Sequence, residues 1–380
     1  MKKILFFIFL LLSCRFLKAQ SNVDQEKLLD FYQTQRYAEA AQYLQSIYPA
    51  NTKDIKALNQ IAYCYMMSGK LPEAEKFYVQ INDLQPNTLS VLFSLANINT
   101  KRGNTIAAQL YLLNIEKLDS TNFKVYKLLA GLTDSIKLKV SYLKKANKLN
   151  PIEPDVAYDL AFELKNLKLF EPAYQVLKVA IEADTSNFIL QRAQLPIANE
   201  LKKYKEVIAV GERLLQNGGD ANVIKDVGKA YFYLKNYQKC ISLYTLLEEM
   251  SLQNETILYY MSLSYRELKN YEMASKYAKK TIDEGISVNT STYYLLLGGI
   301  YEINNQLTSA VAAYKKGLTF KENPSIYYRL GLIYDLKLNQ KQNALKNYNF
   351  YLKNKPDAEK EKEQMDYTKS RLADLKLAKK

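Results

Sequence analysis

Residues 58–86 read LNQIAYCYMMSGKLPEAEKFYVQINDLQP, and the spacing within this stretch decides the fold. Leu58, Ile61, Ala62 and Tyr65 follow the i, i+3, i+4, i+7 pattern that lines one face of an α-helix. Gly69 breaks that helix. Leu71, Ala74, Tyr78 and Ile81 then mark the apolar stripe of a second helix. Pro86, which lacks an amide donor and clashes with the preceding turn, closes the unit. Small residues at Ala62 and Ala74 let the two helices approach closely, while Tyr65 and Tyr78 fill the space between one pair and the next.

Outward from this stretch the small position returns as Ala108, Ala173, Cys240, Ala274, Ala310 and Ala344, with Ala40 and Val207 in weaker copies, at a period of roughly 34 residues. A helix pair of that length cannot bury its apolar faces alone and must stack on copies of itself. An all-α solenoid of antiparallel helix pairs is therefore expected.

Later copies keep the pattern: Ala157, Leu160, Ala161, Leu164, Phe170, Ala173, Leu177 and Ala180; then Ile224, Val227, Gly228, Tyr231, Tyr237, Cys240, Tyr244 and Leu247. Others run through Leu258, Met261, Ser262 and Tyr265, through Leu297, Gly298 and Tyr301, and through Leu330, Gly331 and Tyr334. This arrangement resembles the tetratricopeptide repeat. The resemblance covers residues 20–356, about ten units, and implies a right-handed superhelix. The chain departs from the family in having no Trp: Leu58, Leu92, Ile224, Leu258, Tyr294 and Tyr327 stand where the family places its first-helix Trp, swaps that fill similar space. Two units are weak. One, at residues 123–151, is short by about three residues against the repeat length. The other, at residues 188–219, carries Pro196 inside its first helix, where a kink or shortening is expected, and ends in Gly218 and Gly219. Such units mark either a hinge or divergent repeats in a continuous superhelix. In residues 357–380 the composition turns charged. Met365, Leu372 and Leu375 fit a helix that caps the last repeat; a charged tail that binds a partner is the alternative.

The first residues read as an export signal: Lys2 and Lys3, an apolar run from Ile4 to Leu12, then Leu17, Lys18 and Ala19 before Gln20. The run is too short to span a bilayer, so removal of residues 1–19 is expected. A second route is open, because Leu11, Leu12, Ser13 and Cys14 also resemble a bacterial lipobox whose cysteine becomes the lipidated first residue. An uncleaved anchor is a third. The expected location is the periplasm of a bacterial cell envelope, or the outer membrane if Cys14 is lipidated.

Composition narrows the chemistry. At 48% hydrophobic and 24% charged, the chain is ordinary globular material rather than disordered. The net charge of +14 includes Lys2, Lys3, Arg15 and Lys18, which leave with the signal. Much of the rest gathers at Lys124, Lys127, Lys137, Lys139, Lys144, Lys145 and Lys148 and at Lys276, Lys279 and Lys280. These clusters fit a solvated helix face, or attraction to anionic lipid headgroups, envelope polymers or an acidic partner; export argues against nucleic acid. With no His, the chain lacks imidazole-based nucleophile pairs, zinc sites and the usual general base. No glycine-rich phosphate loop is present, and pairs such as Asp155 and Asp159 or Glu248 and Glu249 read as exposed helix charges. Neither catalysis, cofactor nor metal is expected. Cys64 and Cys240 lie several units apart, too far for a disulfide.

The resemblance also implies where a partner binds, since in this family the exposed side of each first helix lines a concave groove. Carried onto this chain, that register selects Asn59, Tyr63, Phe93, Asn97, Tyr158, Phe162, Lys225, Lys229, Phe232, Tyr259, Arg266 and Tyr328. Tyr gives large contact area with few rotamers and Arg or Lys gives orientation, so a peptide or protein partner is expected. Lys225 and Lys229 stand out, because the pattern gives a Lys pair one turn apart no packing reason to be there. A carbohydrate or cell-wall ligand, which would use the tyrosines, is the alternative.

Overall fold

In the computed structural model, residues 23–377 other than 286 and 355 are described. The signal segment and Cys14 lie outside the described residues. The chain divides into two compact units, Met1–Leu167 and Lys168–Lys380. Among the described residues the protein is all-helical.

The first unit contains α1 (Gln25–Gln33), α2 (Tyr37–Ile47), α3 (Ile55–Met67), α4 (Leu71–Leu84), α5 (Leu89–Lys101), α6 (Thr105–Leu118), α7 (Phe123–Gly131), α8 (Ile136–Leu149) and α9 (Pro154–Asn166). The second contains α10 (Phe170–Ala183), α11 (Phe188–Glu200), α12 (Tyr204–Gln216), α13 (Ala221–Tyr233), α14 (Tyr237–Glu249), α15 (Glu255–Glu267) and α16 (Tyr271–Asp283). It continues with α17 (Thr290–Ile303), α18 (Leu307–Leu318), α19 (Pro324–Leu332), α20 (Lys341–Lys353) and α21 (Lys362–Leu377), a π-helical turn, Ile333–Lys337, following α19. Successive helices pair antiparallel, as in α3 with α4 and α17 with α18.

One backbone device makes the turn inside most pairs. At the end of α3 the Lys70 N–H donates to the Tyr65 carbonyl (2.9 Å) and the Gly69 N–H to that of Met66 (3.2 Å), with Gly69 at φ 77°. These two bonds satisfy carbonyls that the helix end would otherwise orphan. The same pair of bonds recurs at Gln35 and Arg36, Gly103 and Asn104, Lys202 and Lys203, Lys235 and Asn236, Lys269 and Asn270, and Asn305 and Gln306. Most of these use a left-handed residue that is not glycine, so the turn is imposed by helix packing on both sides more than by local preference. Helix α7 ends differently. It is 9 residues long where α3, α5 and α9 have 13, and it closes with a bond from the Leu132 N–H to the Leu129 carbonyl.

Within pairs, size is complementary. Ala62 and Tyr78 are buried in one core cluster of the first unit, and in the second Gly228, Gly298 and Gly331 lie under the rings of Tyr244, Tyr314 and Tyr348, which are fully buried. A Cβ at any of these glycines would sit 2.3 or 2.4 Å from the ring. Glycines on second helices also make close contacts: a Cβ on Gly211 would meet Val227 of the next pair at 2.1 Å, and one on Gly317 would meet Ile326 of the next pair at 2.8 Å. Helix α11 is not shortened by Pro196; it runs its full 13 residues. Its buried face, with Leu190, Leu195, Ile197 and Ala198, offsets the lost backbone bond.

At the C-terminal end α21 packs on α20 and buries Thr368, Leu372 and Leu375, with Met365 half-buried. It is fastened by Arg371, which reaches the Asp335 carboxylate at 2.7 and 3.0 Å. Cys64 and Cys240 are both buried and free. No helix among the described residues is long and apolar enough to cross a membrane.

Candidate functional site

First helices α3, α5, α7 and α9 bring residues to two adjoining cavities in the first unit. One, of about 320 Å³, is lined by Met66, Phe93, Asn97, Thr100, Leu112 and Leu128. The other, of about 350 Å³, shares Thr100 and Leu128 and is bounded by Lys127, Lys139, Asp159, Phe162 and Glu163. Of the residues selected by family register, Phe93, Asn97 and Phe162 are therefore brought together. Tyr158 is exposed beside them on α9 without lining either cavity. Asn59 folds back onto its own helix, its amide donating to the Ile55 carbonyl at 3.0 Å. Tyr63 packs edge-on against Tyr32 and Tyr37, with ring centroids 6.4 and 6.1 Å away.

In the second unit, α15, α17 and α19 surround a cavity of about 270 Å³ that Tyr259 and Arg266 line together with Leu295, Gly299, Tyr314 and Arg329. The Tyr314 hydroxyl donates to Glu302 at 3.0 Å and the Arg329 guanidinium pairs with the same carboxylate at 2.8 Å. Burial pushes the hydroxyl of Tyr259 up, and Arg266 draws it partly back. Arg266 pairs with its chain neighbour Glu267 at 2.7 Å, both side chains being about a third exposed. An exposed pair of this kind is weak, so the guanidinium remains able to turn to an anionic group on an apolar, aromatic wall.

The other selected residues have structural occupations. Phe232 packs in a ring cluster with Tyr233, Tyr237 and Tyr260, at centroid distances of 5.4, 5.7 and 4.9 Å. Tyr328 packs on Tyr351 at 5.2 Å. Lys229 is bonded to Glu200 at 2.7 Å, so it has a structural reason for its place that the helical pattern does not reveal. Lys225 is half-buried, and its carbonyl accepts the Tyr244 hydroxyl at 3.0 Å.

Sequence reasoning missed other cavity residues: Thr100, Leu128, Tyr314 and Arg329 carry no compositional signal. Lys127 and Lys139 were visible only as members of a basic cluster. The structure gives both a carboxylate, Lys127 to Asp155 at 2.5 Å and Lys139 to Glu163 at 3.6 Å, and Lys145 reaches Glu116 at 3.5 Å. Nor is Glu248 an exposed helix charge: it accepts the Tyr277 hydroxyl at 2.7 Å and pairs with Lys280. Among the described residues no group of Cys, Asp or Glu side chains is placed to hold a metal ion.

Two stretches, residues 31–98 and 291–324, match tetratricopeptide repeat family models. A TPR repeat-containing protein of Methanocaldococcus jannaschii is 24% identical over 304 residues, which are 77% of this chain and 49% of the relative. The chain thus spans about half the length of the curated relative it matches. Among solved structures, human IFIT1 as a dimer with PPP-AAAA is similar at a TM-score of 0.45 and 15% identity, over 95% of this chain and 87% of that one. The Pseudomonas aeruginosa pilF product is similar at a TM-score of 0.42 and 16% identity, over 53% and 93% of the two chains. Tetratricopeptide repeats are thus matched in both units, and helices pair antiparallel throughout the described residues.

Proposed function

We propose that this protein is a non-catalytic scaffold of the bacterial cell envelope that holds a protein or peptide partner along the first helices of its repeats, in assembly, secretion or surface organisation. The observation that carries the reading is the convergence of residues from successive first helices on cavities: Phe93, Asn97, Leu128 and Phe162 in one unit, Tyr259, Arg266, Leu295 and Arg329 in the other. Side chains of this kind, aromatic walls with a few oriented polar groups, are what protein interfaces use as anchors. The envelope part of the reading rests on the basic and apolar N-terminal pattern of the sequence, with lipidation at Cys14 or the lysine-rich helices as routes to a membrane surface.

Mild cross-linking in intact cells, followed by mass spectrometry of the captured complex and of this protein's N-terminus, tests it. Capture of a defined envelope protein, lost in Arg266→Glu with the fold intact, is the expected result. Recovery of no protein, with wall or surface polymer attached instead, would overturn the scaffold reading in favour of a carbohydrate ligand. An N-terminus still beginning at Met1 would remove the export step.

A further inference from the structure

The larger cavity of the first unit exists because α7 is one turn short. Where α3, α5 and α9 continue, α7 stops at Gly131, and the absent turn leaves a space bounded by Ala130, Gly131 and Leu132. A Cβ built on Gly131 meets no atom within 4 Å, although this glycine is helical and has no left-handed backbone to protect. The short repeat thus has an opening at the end of α7, and it adjoins the apolar cavity between Phe93 and Leu112, with which it shares Thr100 and Leu128.

Charge at this opening favours one kind of guest. Asp155, Asp159 and Glu163 follow one another at single-turn spacing along α9. The two lysines facing them pair with the outer acids, Lys127 with Asp155 and Lys139 with Glu163. Asp159 lines the cavity between these pairs, and no ion pair holds it among the described residues. It stands at the open rim, yet the walls withdraw enough solvent that burial raises its carboxyl above the usual range; Lys127 and, more weakly, Lys139 oppose the shift, and Asp155 and Glu163 add to it. A cation seated there gains the Asp159 carboxylate, whereas an anion would meet that carboxylate with two of the nearby lysines already paired. The adjacent wall is apolar, formed by Leu128, Leu143 and the Phe162 ring, which already attracts Lys165 at 5.1 Å.

We infer that this cavity seats a basic side chain, Lys or Arg, of a peptide segment whose neighbouring apolar residue fills the adjoining cavity between Phe93 and Leu112. Asp159 accepts the ammonium or guanidinium group, and the aliphatic stem lies along Leu128 and Phe162, as long cationic side chains do on apolar surface. The inference rests on the scaffold reading and names the chemistry of what the first unit holds.

The test uses the mature full-length chain and a short dye-labelled peptide of alternating Leu and Lys, with a Leu and Glu peptide as its charge-reversed counterpart, followed by fluorescence anisotropy. Asp159→Asn should weaken the basic peptide about tenfold, the scale of one charge-assisted contact at a partly exposed site. Gly131→Leu, which fills the opening from α7 and leaves the Asp159 carboxylate in place, should weaken it at least as much while helix content and melting temperature hold. Arg266→Glu, in the other unit, should leave this affinity unchanged. The inference is overturned if the wild-type chain does not bind the basic peptide, if both first-unit variants bind it as wild type does, or if the Leu and Glu peptide binds more tightly and is the one displaced by Gly131→Leu. Those results would leave the scaffold reading standing wherever cross-linking in cells still captures an envelope protein; failure of that capture is what would remove the scaffold reading itself.

Discussion

Replacing Gly298 by Ala should destabilise the second unit even though Ala is the better helix former. A Cβ at this position would lie 2.4 Å from both Cδ1 and Cε1 of Tyr314, where carbon atoms in contact keep about 3.5–4.0 Å. The ring would have to withdraw by more than about 1 Å. It has little freedom to do so, because Tyr314 is fully buried and its hydroxyl is tied to Glu302 at 3.0 Å. Overpacking of this kind costs about 1–3 kcal/mol, against about 1 kcal/mol gained by removing a mid-helix glycine, so a net loss of up to about 2 kcal/mol is expected. Gly131→Ala is the matched comparison. It meets open space, so only the helix-propensity gain of about 0.5–1 kcal/mol should be felt. Urea unfolding followed by far-ultraviolet circular dichroism compares the two, and opposite shifts of the midpoint at an unchanged slope are the expected pattern. Combining Gly298→Ala with Tyr314→Leu copies the small and large pair found at Ala96 and Leu112, and should cost less than the two single changes added together. If Gly298→Ala stabilises as much as Gly131→Ala does, size complementarity across the helix pair is not what fixes their approach.

Other consequences can be measured directly. Arg371→Ala strips the Asp335 carboxylate, 2% exposed, of its bidentate partner and leaves it, among the described residues, the Tyr348 hydroxyl at 3.3 Å; a loss of about 3–5 kcal/mol should free α21, seen as rapid tryptic cleavage near Lys362. Unaltered cleavage would show that the helix is held by Leu372 and Leu375 alone. Burial and then the Glu212 carboxylate push the Tyr231 hydroxyl up to about 12, so the folded state prefers it neutral; that stability is complete below the ordinary tyrosine value of about 10 and is lost as pH rises through about 12. Tyr231→Phe should flatten this alkaline arm in a pH series of melting temperatures, and an unchanged arm would exclude the group. Burial raises the Cys240 thiol to about 11, so an aromatic disulfide reagent should label it only on unfolding, whereas labelling of the native chain would mean the second unit opens locally.

Sequence and structure agree where a residue's role is set by its own helix. Leu58, Ile61, Ala62 and Tyr65 lie on the buried face of α3, and Leu160, Ala161 and Leu164 do the same in α9. They part where the partner comes from another repeat. Lys229 reads as an unattached groove cation, yet its partner Glu200 lies 29 residues away. Asn59 occupies a groove position, but its amide is spent on the Ile55 carbonyl. Pro196 is expected to kink or shorten its helix, yet α11 keeps its full 13 residues, because packing of its buried face outweighs the lost backbone bond.

The sequence by itself determined an all-helical array of antiparallel pairs, because a repeated apolar spacing of helical period, punctuated by small residues and turns, has few other ways to bury its surface. Only the tertiary structure decided which side chains meet. The placing of Asp159 beside Phe162 over the end of a shortened helix, and of Tyr259 and Arg266 beside Arg329, depends on how consecutive repeats stack. Periodicity along one helix specifies the face that turns inward, but the contacts between repeats are set by side-chain volumes and charges contributed from separate turns of the chain.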